Sequence, residues 1–171
     1  EVKATRNTNT LVLDSDEKWL AYNTDVVGFE KANQEVLKTA RSATIVGNGA
    51  VAQSIKYVLA EHNVHYVTIS SRKKNETSSD WLINCSPVGM DHVPDTIFNE
   101  NDVSQFKYVF DVVVSKKPTN LISLAKKLKK LHVQGWEMSL EQLCKQFEFY
   151  ANTNAPRSIF RRTLKENGYD Y

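Results

Sequence analysis

Apolar and polar residues follow two different periods along this chain, and the change of period separates predicted strands from predicted helices. Between residues 9 and 22, two short apolar runs flank a polar turn at 14–17, a pattern typical of two strands joined by a turn. From residue 26 to residue 39 the apolar positions fall near helical spacing, which predicts a helix. Asp25 or Thr24 is expected to cap it, because a side-chain oxygen can accept the free N–H groups of the first turn.

A unit of strand, glycine turn, helix and strand comes next. The apolar run 43–46 leads into a turn with two glycines, helical spacing extends over 51–61, and a second strand is predicted over 65–69. The two strands of such a βαβ unit are parallel. Further elements are predicted as strands over 81–84 and 108–114, a helix from Pro118 with an apolar face ending at Leu131, and helices over 139–151 and 156–167. The order predicts an α/β fold, a doubly wound, Rossmann-like, mostly parallel sheet with helices on both faces.

Composition and charge narrow the class of protein. With 171 residues, 41% of them apolar and 25% charged, the chain can build one domain with its own core, which excludes disordered, collagen-like and disulfide-scaffold proteins. A net charge of +2 does not indicate a nucleic-acid partner. Every apolar run is shorter than the roughly 18 residues of a membrane helix, so no membrane partner is expected.

The cysteines and the first residues of the chain indicate the cellular compartment of the protein. Cys85 and Cys144 match no metal-binding spacing, so we predict reduced thiols, no metal site and a cytoplasmic location. The first ten residues contain no apolar signal core. The chain starts without Met, which indicates a fragment or a processed protein.

The turn after the first strand of the βαβ unit carries the first candidate chemistry. Residues 47–52, read as GNGAVA, fit the pattern GxGxxA. The first glycine permits a tight turn, the second lets the backbone approach a diphosphate, and the small Ala52 lets the helix pack closely on the strand. The diphosphate would lie on free N–H groups at the helix N-terminus. The candidate cofactor-binding residues of this turn are Gly47, Asn48, Gly49, Ala50 and Val51.

The end of the second strand selects the cofactor. An NAD site normally places Asp or Glu there, to hold the ribose 2′-hydroxyl. Here the strand runs into Ser71, Arg72 and Lys73, followed by another lysine, with no carboxylate. Cations at this point suit the 2′-phosphate of NADP, and the Arg72 guanidinium could also stack on the adenine. The alternative is an ordinary basic surface loop.

The order of motifs resembles the C-terminal two-thirds of a shikimate dehydrogenase. Seven segments carry the resemblance over nearly the whole chain. They are NTL at 9–11, YNTD at 22–25, the glycine turn, SRK at 71–73, NCSPVGM at 84–90, the stretch 111–119, and the spacing of Gly135, Met138, Gln142 and Phe147. The resemblance implies NADPH-dependent reduction of 3-dehydroshikimate to shikimate, a step of aromatic amino acid biosynthesis, by a monomer or homodimer.

The resemblance also implies roles for single residues. Asp25 would be the catalytic carboxylate, paired in the family with a lysine for proton transfer. Asn9 and Gln142 would bind substrate hydroxyls, and Arg72 the 2′-phosphate. Gly135 and Met138 would lie against the nicotinamide, and Val88 or Met90 would line its pocket. Each role has a plainer alternative: Asp25 as a helix cap, Asn9 as a turn residue, Gln142 as a water-facing residue and Met138 as core.

Departures from the family pattern leave several alternatives open. The substrate-binding half with the catalytic lysine would precede residue 1, so we expect little or no activity from this chain by itself. We assign 1–24 to hinge strands with a remnant of the substrate domain, and 25–171 to the NADP-binding domain. Val114 stands where the family has a tyrosine, so a quinate/shikimate-type enzyme with altered substrate remains an alternative, as does a non-catalytic dinucleotide-binding module. The short link 75–80 indicates either a trimmed sheet or missing residues.

Overall fold

The computed structural model describes residues 2–70, 79–93 and 97–169. The strands are β1 Thr10–Leu13, β2 Trp19–Tyr22, β3 Ser42–Val46, β4 His65–Ile69, β5 Trp81–Asn84, β6 Tyr108–Asp111 and β7 Leu131–Gln134. The helices are α1 Val2–Thr5, α2 Thr24–Ala32, α3 Gln34–Thr39, α4 Ala50–Glu61, α5 Glu100–Ser104, α6 Asn120–Lys127, α7 Gly135–Ala151 and α8 Arg157–Glu166. None of the described helices is long and apolar enough to cross a membrane.

The strands form two separate sheets. β1 and β2 pair as an antiparallel hairpin, with Thr10 opposite Tyr22. The other five strands lie in the order β4-β3-β5-β6-β7, and all four of their pairings are parallel. The predicted parallel βαβ unit is β3-α4-β4. Because β3 pairs with β4 on one side and with β5 on the other, the chain changes direction across the sheet next to β3.

Apolar side chains alternate between the two faces of this sheet. Ile45, Ile83 and Phe110 join one cluster with residues of α2, α4 and α7, whereas Leu82 and Val109 join a second cluster with residues of α5 and α6. Successive residues of a strand point to opposite faces, so a strand buried on both sides reads as a continuous apolar run. Helices therefore cover both faces, and the predicted doubly wound α/β fold is confirmed.

Several predicted boundaries are corrected. The predicted helix 26–39 is two helices, because the backbone N–H and the side-chain amide of Asn33 both donate to the Phe29 carbonyl, at 3.0 and 2.9 Å, and end α2 there. Asn23, rather than Asp25 or Thr24, caps α2, since its side chain accepts from the Asp25 N–H at 3.1 Å. The predicted strand 108–114 stops at Asp111, whose carboxylate accepts the Val113 N–H.

The region after Pro118 differs most from the prediction. The helix there ends at Lys127, because Lys129 adopts a left-handed conformation with φ of 54°, and Leu131 begins a strand instead of completing a helix face. Helix α7 begins at Gly135, four residues before its predicted start at 139. The short elements α1 and α5 and the strand β7 were not predicted.

Candidate functional site

The glycine turn lies where the chain changes direction across the sheet. Gly47 has φ of +98°, a conformation that favours glycine. A Cβ at this position would lie 2.9 Å from the carbonyl oxygen of Cys85, directly after β5. The turns after β3 and β5 are therefore in contact. Ligands of doubly wound sheets bind at this point, in the crevice beyond the carboxyl ends of the strands.

The geometry of the turn fits a dinucleotide diphosphate. Gly49 is the N-cap of α4 and provides no side-chain cap, so the first N–H groups of a 12-residue helix have no side-chain acceptor at the cap. Among the described residues, no atom lies within 4 Å of a Cβ built on Gly49, so this part of the chain leaves space in front of the helix. Ala52 is fully buried, as close packing of α4 on the sheet requires. Free N–H groups, a favourable helix dipole and open space are the features that bind phosphate.

Asp25 lies at the centre of a second cluster. Its side chain is 7% exposed at the start of α2. The Asn9 Nδ2 donates to Asp25 Oδ1 at 2.8 Å, and the Gln142 Nε2 donates to the same oxygen. The structure therefore brings together the three residues expected to be catalytic or substrate-binding, from the residue before β1, from α2 and from α7. Because both amides share Oδ1, Oδ2 is outside these two hydrogen bonds.

The orientation of Asn9 is determined by its carbonyl oxygen. Asn9 Oδ1 accepts from the Thr24 N–H and the Thr24 hydroxyl, both at 3.0 Å, and from the Thr10 hydroxyl at 2.9 Å. All three groups donate to the oxygen, so the amide nitrogen must face Asp25. The side chain of Asn9 thus does more than satisfy a turn.

Burial controls the charge of Asp25. Loss of solvent raises its pKa above the ordinary value, and the hydrogen bonds from Asn9, Gln142 and Ser54 oppose this and lower it. The balance leaves the pKa raised. A carboxyl group with a raised pKa and aligned amide donors suits proton exchange closer to neutral pH than an exposed aspartate does.

A buried network connects the ends of β5 and β6. The carboxylate of Asp111 is fully buried and accepts from Asn84 Nδ2 at 2.9 Å, Thr119 Oγ1 at 2.6 Å and the Val113 N–H at 3.1 Å. Asn84 Nδ2 also donates to the carbonyl of Val88 at 3.2 Å. The network thus holds the loop after β5, which contains the predicted pocket residues Val88 and Met90, against the loop after β6. Both of these residues are half-buried.

The remaining predicted residues fall into two groups. Gly135 is buried at the start of α7, directly after β7 at the carboxyl edge of the sheet. Met138 is 2% exposed within the core cluster, which favours its packing role. The residues expected to select the cofactor, Ser71, Arg72 and Lys73, lie outside the described residues. Most of the short link 75–80, for which a trimmed sheet or missing residues were the two alternatives, also lies outside them.

Sequence reasoning missed two contributors to the Asp25 cluster. Gln146 Nε2 donates to the hydroxyls of Thr10 and Thr24, each at 3.3 Å. Its position four residues after Gln142, on the same face of one helix, was the available signal. Ser54 of α4 is fully buried and accepts from Asn23 Nδ2 at 2.9 Å, which connects the helix of the glycine turn to the start of α2.

Comparison with known proteins finds relatives along nearly the whole chain. A shikimate dehydrogenase (NADP(+)) of Clostridium beijerinckii is 28% identical over 194 aligned residues, covering 96% of this chain and 72% of the relative. A quinate/shikimate dehydrogenase (NAD(+)) of Corynebacterium glutamicum is 24% identical, covering 91% of this chain and 66% of the relative. No protein-family model matches the chain.

Solved structures agree on the fold. A quinate dehydrogenase from Corynebacterium glutamicum, solved in complex with NAD, superposes with a TM-score of 0.85 at 24% identity, covering 96% of this chain and 70% of that one. The predicted resemblance to shikimate dehydrogenases is therefore confirmed. The named relatives are dehydrogenases that use a nicotinamide dinucleotide, some with NADP(+) and some with NAD(+) in their names.

Proposed function

Because the chain is related to the shikimate dehydrogenase family over nearly its whole length, we propose that it provides the cofactor-binding part of an NADP-dependent shikimate dehydrogenase. In that reaction NADPH supplies a hydride to the ring carbonyl of 3-dehydroshikimate, and shikimate is formed. The observation that carries the proposal is the convergence of Asn9 and Gln142 on Asp25. These residues lie far apart in the sequence and were expected to act together.

Each part of the Asp25 cluster has a task in this proposal. Asn9 and Gln142 present amide groups that can bind substrate hydroxyls, and they fix the carboxylate of Asp25 through Oδ1. The Ser54 hydroxyl is a third donor to this carboxylate, and a substrate hydroxyl would bind beside it. A proton donor for the developing alkoxide must also be present, and we assign it to the family's lysine outside this chain.

The cofactor is proposed to lie across the carboxyl edge of the parallel sheet. Its diphosphate would contact Gly47, Asn48, Gly49, Ala50 and Val51 at the start of α4. The nicotinamide would lie beside the loop with Val88 and Met90 and near Gly135 and Met138. Ser71, Arg72 and Lys73 would bind the 2′-phosphate, which supports NADP over NAD. The hairpin of β1 and β2, within residues 1–24, would join this domain to a substrate domain.

Calorimetric titration of this chain with NADPH and, separately, with NADH tests the cofactor assignment. We expect binding of both with clear preference for NADPH. Equal affinities would contradict the choice of NADP. Absence of binding for both would contradict the cofactor site and with it the proposed function.

A quinate/shikimate-type activity is the second candidate, and Val114 favours it. This residue, 46% exposed, stands where the family has a substrate-contacting tyrosine. Titration of the NADP⁺-saturated protein, with its substrate domain attached, with shikimate and with quinate separates the two candidates. We expect shikimate to bind more tightly, and Asp25→Asn to weaken it. Tighter binding of quinate would support the alternative.

A further inference from the structure

Lys56 reaches from the second turn of α4 back to the glycine turn. Its Nζ lies 2.5 Å from Asn48 Oδ1, and Gln53 Nε2 donates to the same oxygen at 2.9 Å. Residues 53 and 56 share one face of the helix, and side chains of a helix lean toward its N-terminus. Two donors from α4 therefore meet at one oxygen of the turn that is proposed to hold the diphosphate.

The charge of Lys56 is not neutralised by a carboxylate. Among residues 2–70, 79–93 and 97–169, Lys56 forms no ion pair, whereas Lys38, Lys107, Lys127 and Lys145 each have an acidic partner. The partner that it does contact, the amide oxygen of Asn48, is neutral. Lys56 is half-buried as a residue while its ammonium group lies at the surface, so that group can accept an anion without first breaking a salt bridge.

The Lys56 ammonium is held at Asn48, the residue after Gly47, and Gly47 packs against the Cys85 backbone after β5. Burial and the Asp111 carboxylate raise the pKa of the Cys85 thiol, and the Lys56 ammonium acts in the opposite direction. Cys85 directly follows β5 and adjoins Gly47. Lys56 is thus close to the contact between the two turns, where a dinucleotide crosses from one half of the sheet to the other.

We propose that Lys56 binds the diphosphate of the nicotinamide cofactor, with Gln53 as a second donor. The inference rests on the proposed function, and it adds a side-chain cation to a site otherwise formed by backbone N–H groups. Asn48 Oδ1 holds both donors at the edge of the open space in front of Gly49. A phosphate oxygen placed there replaces the amide oxygen as their acceptor, and the hydrogen bond becomes one between opposite charges. The diphosphate is common to NADPH and NADH, so Lys56 contributes equally to both.

Calorimetry on matched variants tests the inference. Lys56→Gln removes the charge, Lys56→Arg keeps it, and Lys38→Gln makes the same charge change on α3, whose end leads into the amino edge of the sheet. We expect Lys56→Gln to weaken NADPH and NADH by the same factor, about tenfold. Lys56→Arg should weaken binding less than half as much as Lys56→Gln on a logarithmic scale. Lys38→Gln should bind both cofactors like the wild type. The loss should shrink near 1 M NaCl, because salt screens charge interactions.

The outcomes separate this inference from the proposed function. If the wild type binds NADPH and Lys56→Gln binds it equally well, the role of Lys56 is refuted and the cofactor site stands. If only NADPH is weakened, Lys56 contacts the 2′-phosphate and the assignment to the diphosphate is refuted. If the wild type binds neither cofactor, the proposed function itself fails. A circular dichroism melt of each variant checks that the fold is kept.

Discussion

The side-chain amide of Asn9 donates to the carboxylate of Asp25 at 2.8 Å, across 16 positions of sequence that contain the whole hairpin. The contact exists because β1 and β2 pair with Thr10 opposite Tyr22, which returns the chain to its starting point just before α2. The hairpin therefore sets the distance between these two residues. Gln142 then reaches the same carboxylate oxygen from α7.

Removing Gln142 should change the titration of Asp25. Its hydrogen bond lowers the pKa of Asp25 against the effect of burial, so Gln142→Ala should raise that pKa further. The carboxyl carbon chemical shift of Asp25, followed against pH by NMR, measures the change. Gln105→Ala, on an exposed residue after α5, is the control and should leave the titration unchanged. An unchanged pKa of Asp25 in Gln142→Ala would show that the hydrogen bond is not formed in solution.

Gly28 should be required for the approach of α7 to α2. A Cβ at this position would lie 2.5 Å from Gln142 Cγ and 2.9 Å from the Met138 carbonyl oxygen. Alanine is favoured over glycine in a helix by about 1 kcal/mol, but we expect overpacking to dominate and Gly28→Ala to lower the free energy of unfolding by about 2 kcal/mol. Urea denaturation measures this.

A double variant provides the control for Gly28. Gln142→Ala removes the Cγ atom that the new methyl group would meet, so Gly28→Ala combined with Gln142→Ala should recover part of the lost stability. Strict additivity of the two single changes would contradict the packing explanation.

Arg72 should distinguish the two cofactors. Arg72→Ala is expected to weaken NADPH by about ten- to a hundredfold, the range for a hydrogen bond to a charged group, and to weaken NADH much less. Paired titrations with both cofactors measure the effect, and Lys38→Ala serves as the charge control. Equal losses of affinity for NADPH and NADH would contradict the assignment of Arg72 to the 2′-phosphate.

Cys85 should be unreactive despite its place beside the glycine turn. Burial and the nearby Asp111 carboxylate raise the pKa of its thiol to about 12, so almost no thiolate is present at pH 8. Burial likewise raises the pKa of Cys144. Ellman's reagent should therefore react with the folded chain far more slowly than with the chain in urea. Rapid labelling that Cys85→Ser abolishes would contradict this environment.

The buried carboxyl group of Asp111 should make stability depend on pH. Burial raises its pKa in the folded chain, so the folded state keeps a proton that the unfolded state loses above about pH 4. This group's contribution to the free energy of unfolding should therefore fall as pH rises through that window. Asp111→Asn should flatten the dependence of the free energy of unfolding on pH, because asparagine does not titrate. The fold should be kept, since the amide oxygen still accepts hydrogen bonds and the amide N–H can donate to the Thr119 hydroxyl.

Asp80 supplies the opposite case for comparison. Its pKa is lowered by hydrogen bonds from Lys107 and from the Arg41 backbone, so its contribution is lost as pH falls. Asp80→Asn should therefore remove a contribution to the free energy of unfolding that falls as pH falls, the opposite of the change expected for Asp111→Asn. Identical slopes for wild type and Asp111→Asn in urea titrations from pH 4 to pH 8 would contradict the raised pKa of Asp111.

Sequence alone determined the parts of this protein that depend on local physics. The runs at 43–46 and 81–84 predicted strands and Gly47 predicted a tight turn, and the structure has all three. Helix α4 with its small Ala52 followed from spacing. These features depend on the periodicity of apolar residues, on side-chain size and on the backbone angles that glycine permits. Each of these can be inferred from residues close together in the sequence.

Only the tertiary structure decided which distant residues meet. No local pattern could show that Gln142 and Gln146 face the hairpin instead of water. The cap of α2 is different, because Asn23 lies two residues before Asp25 and asparagine is a favoured N-cap, so the sequence contained that signal. Leu131 has helical spacing with the leucines before it, yet it begins β7, because Lys129 takes a left-handed turn and the strand gains a parallel partner in β6. Hydrogen bonds across the sheet and between helices join segments that are far apart in the sequence. They exist only after folding has brought those segments together. The candidate site is made of such contacts, so its residues could be named from the sequence while its geometry could not.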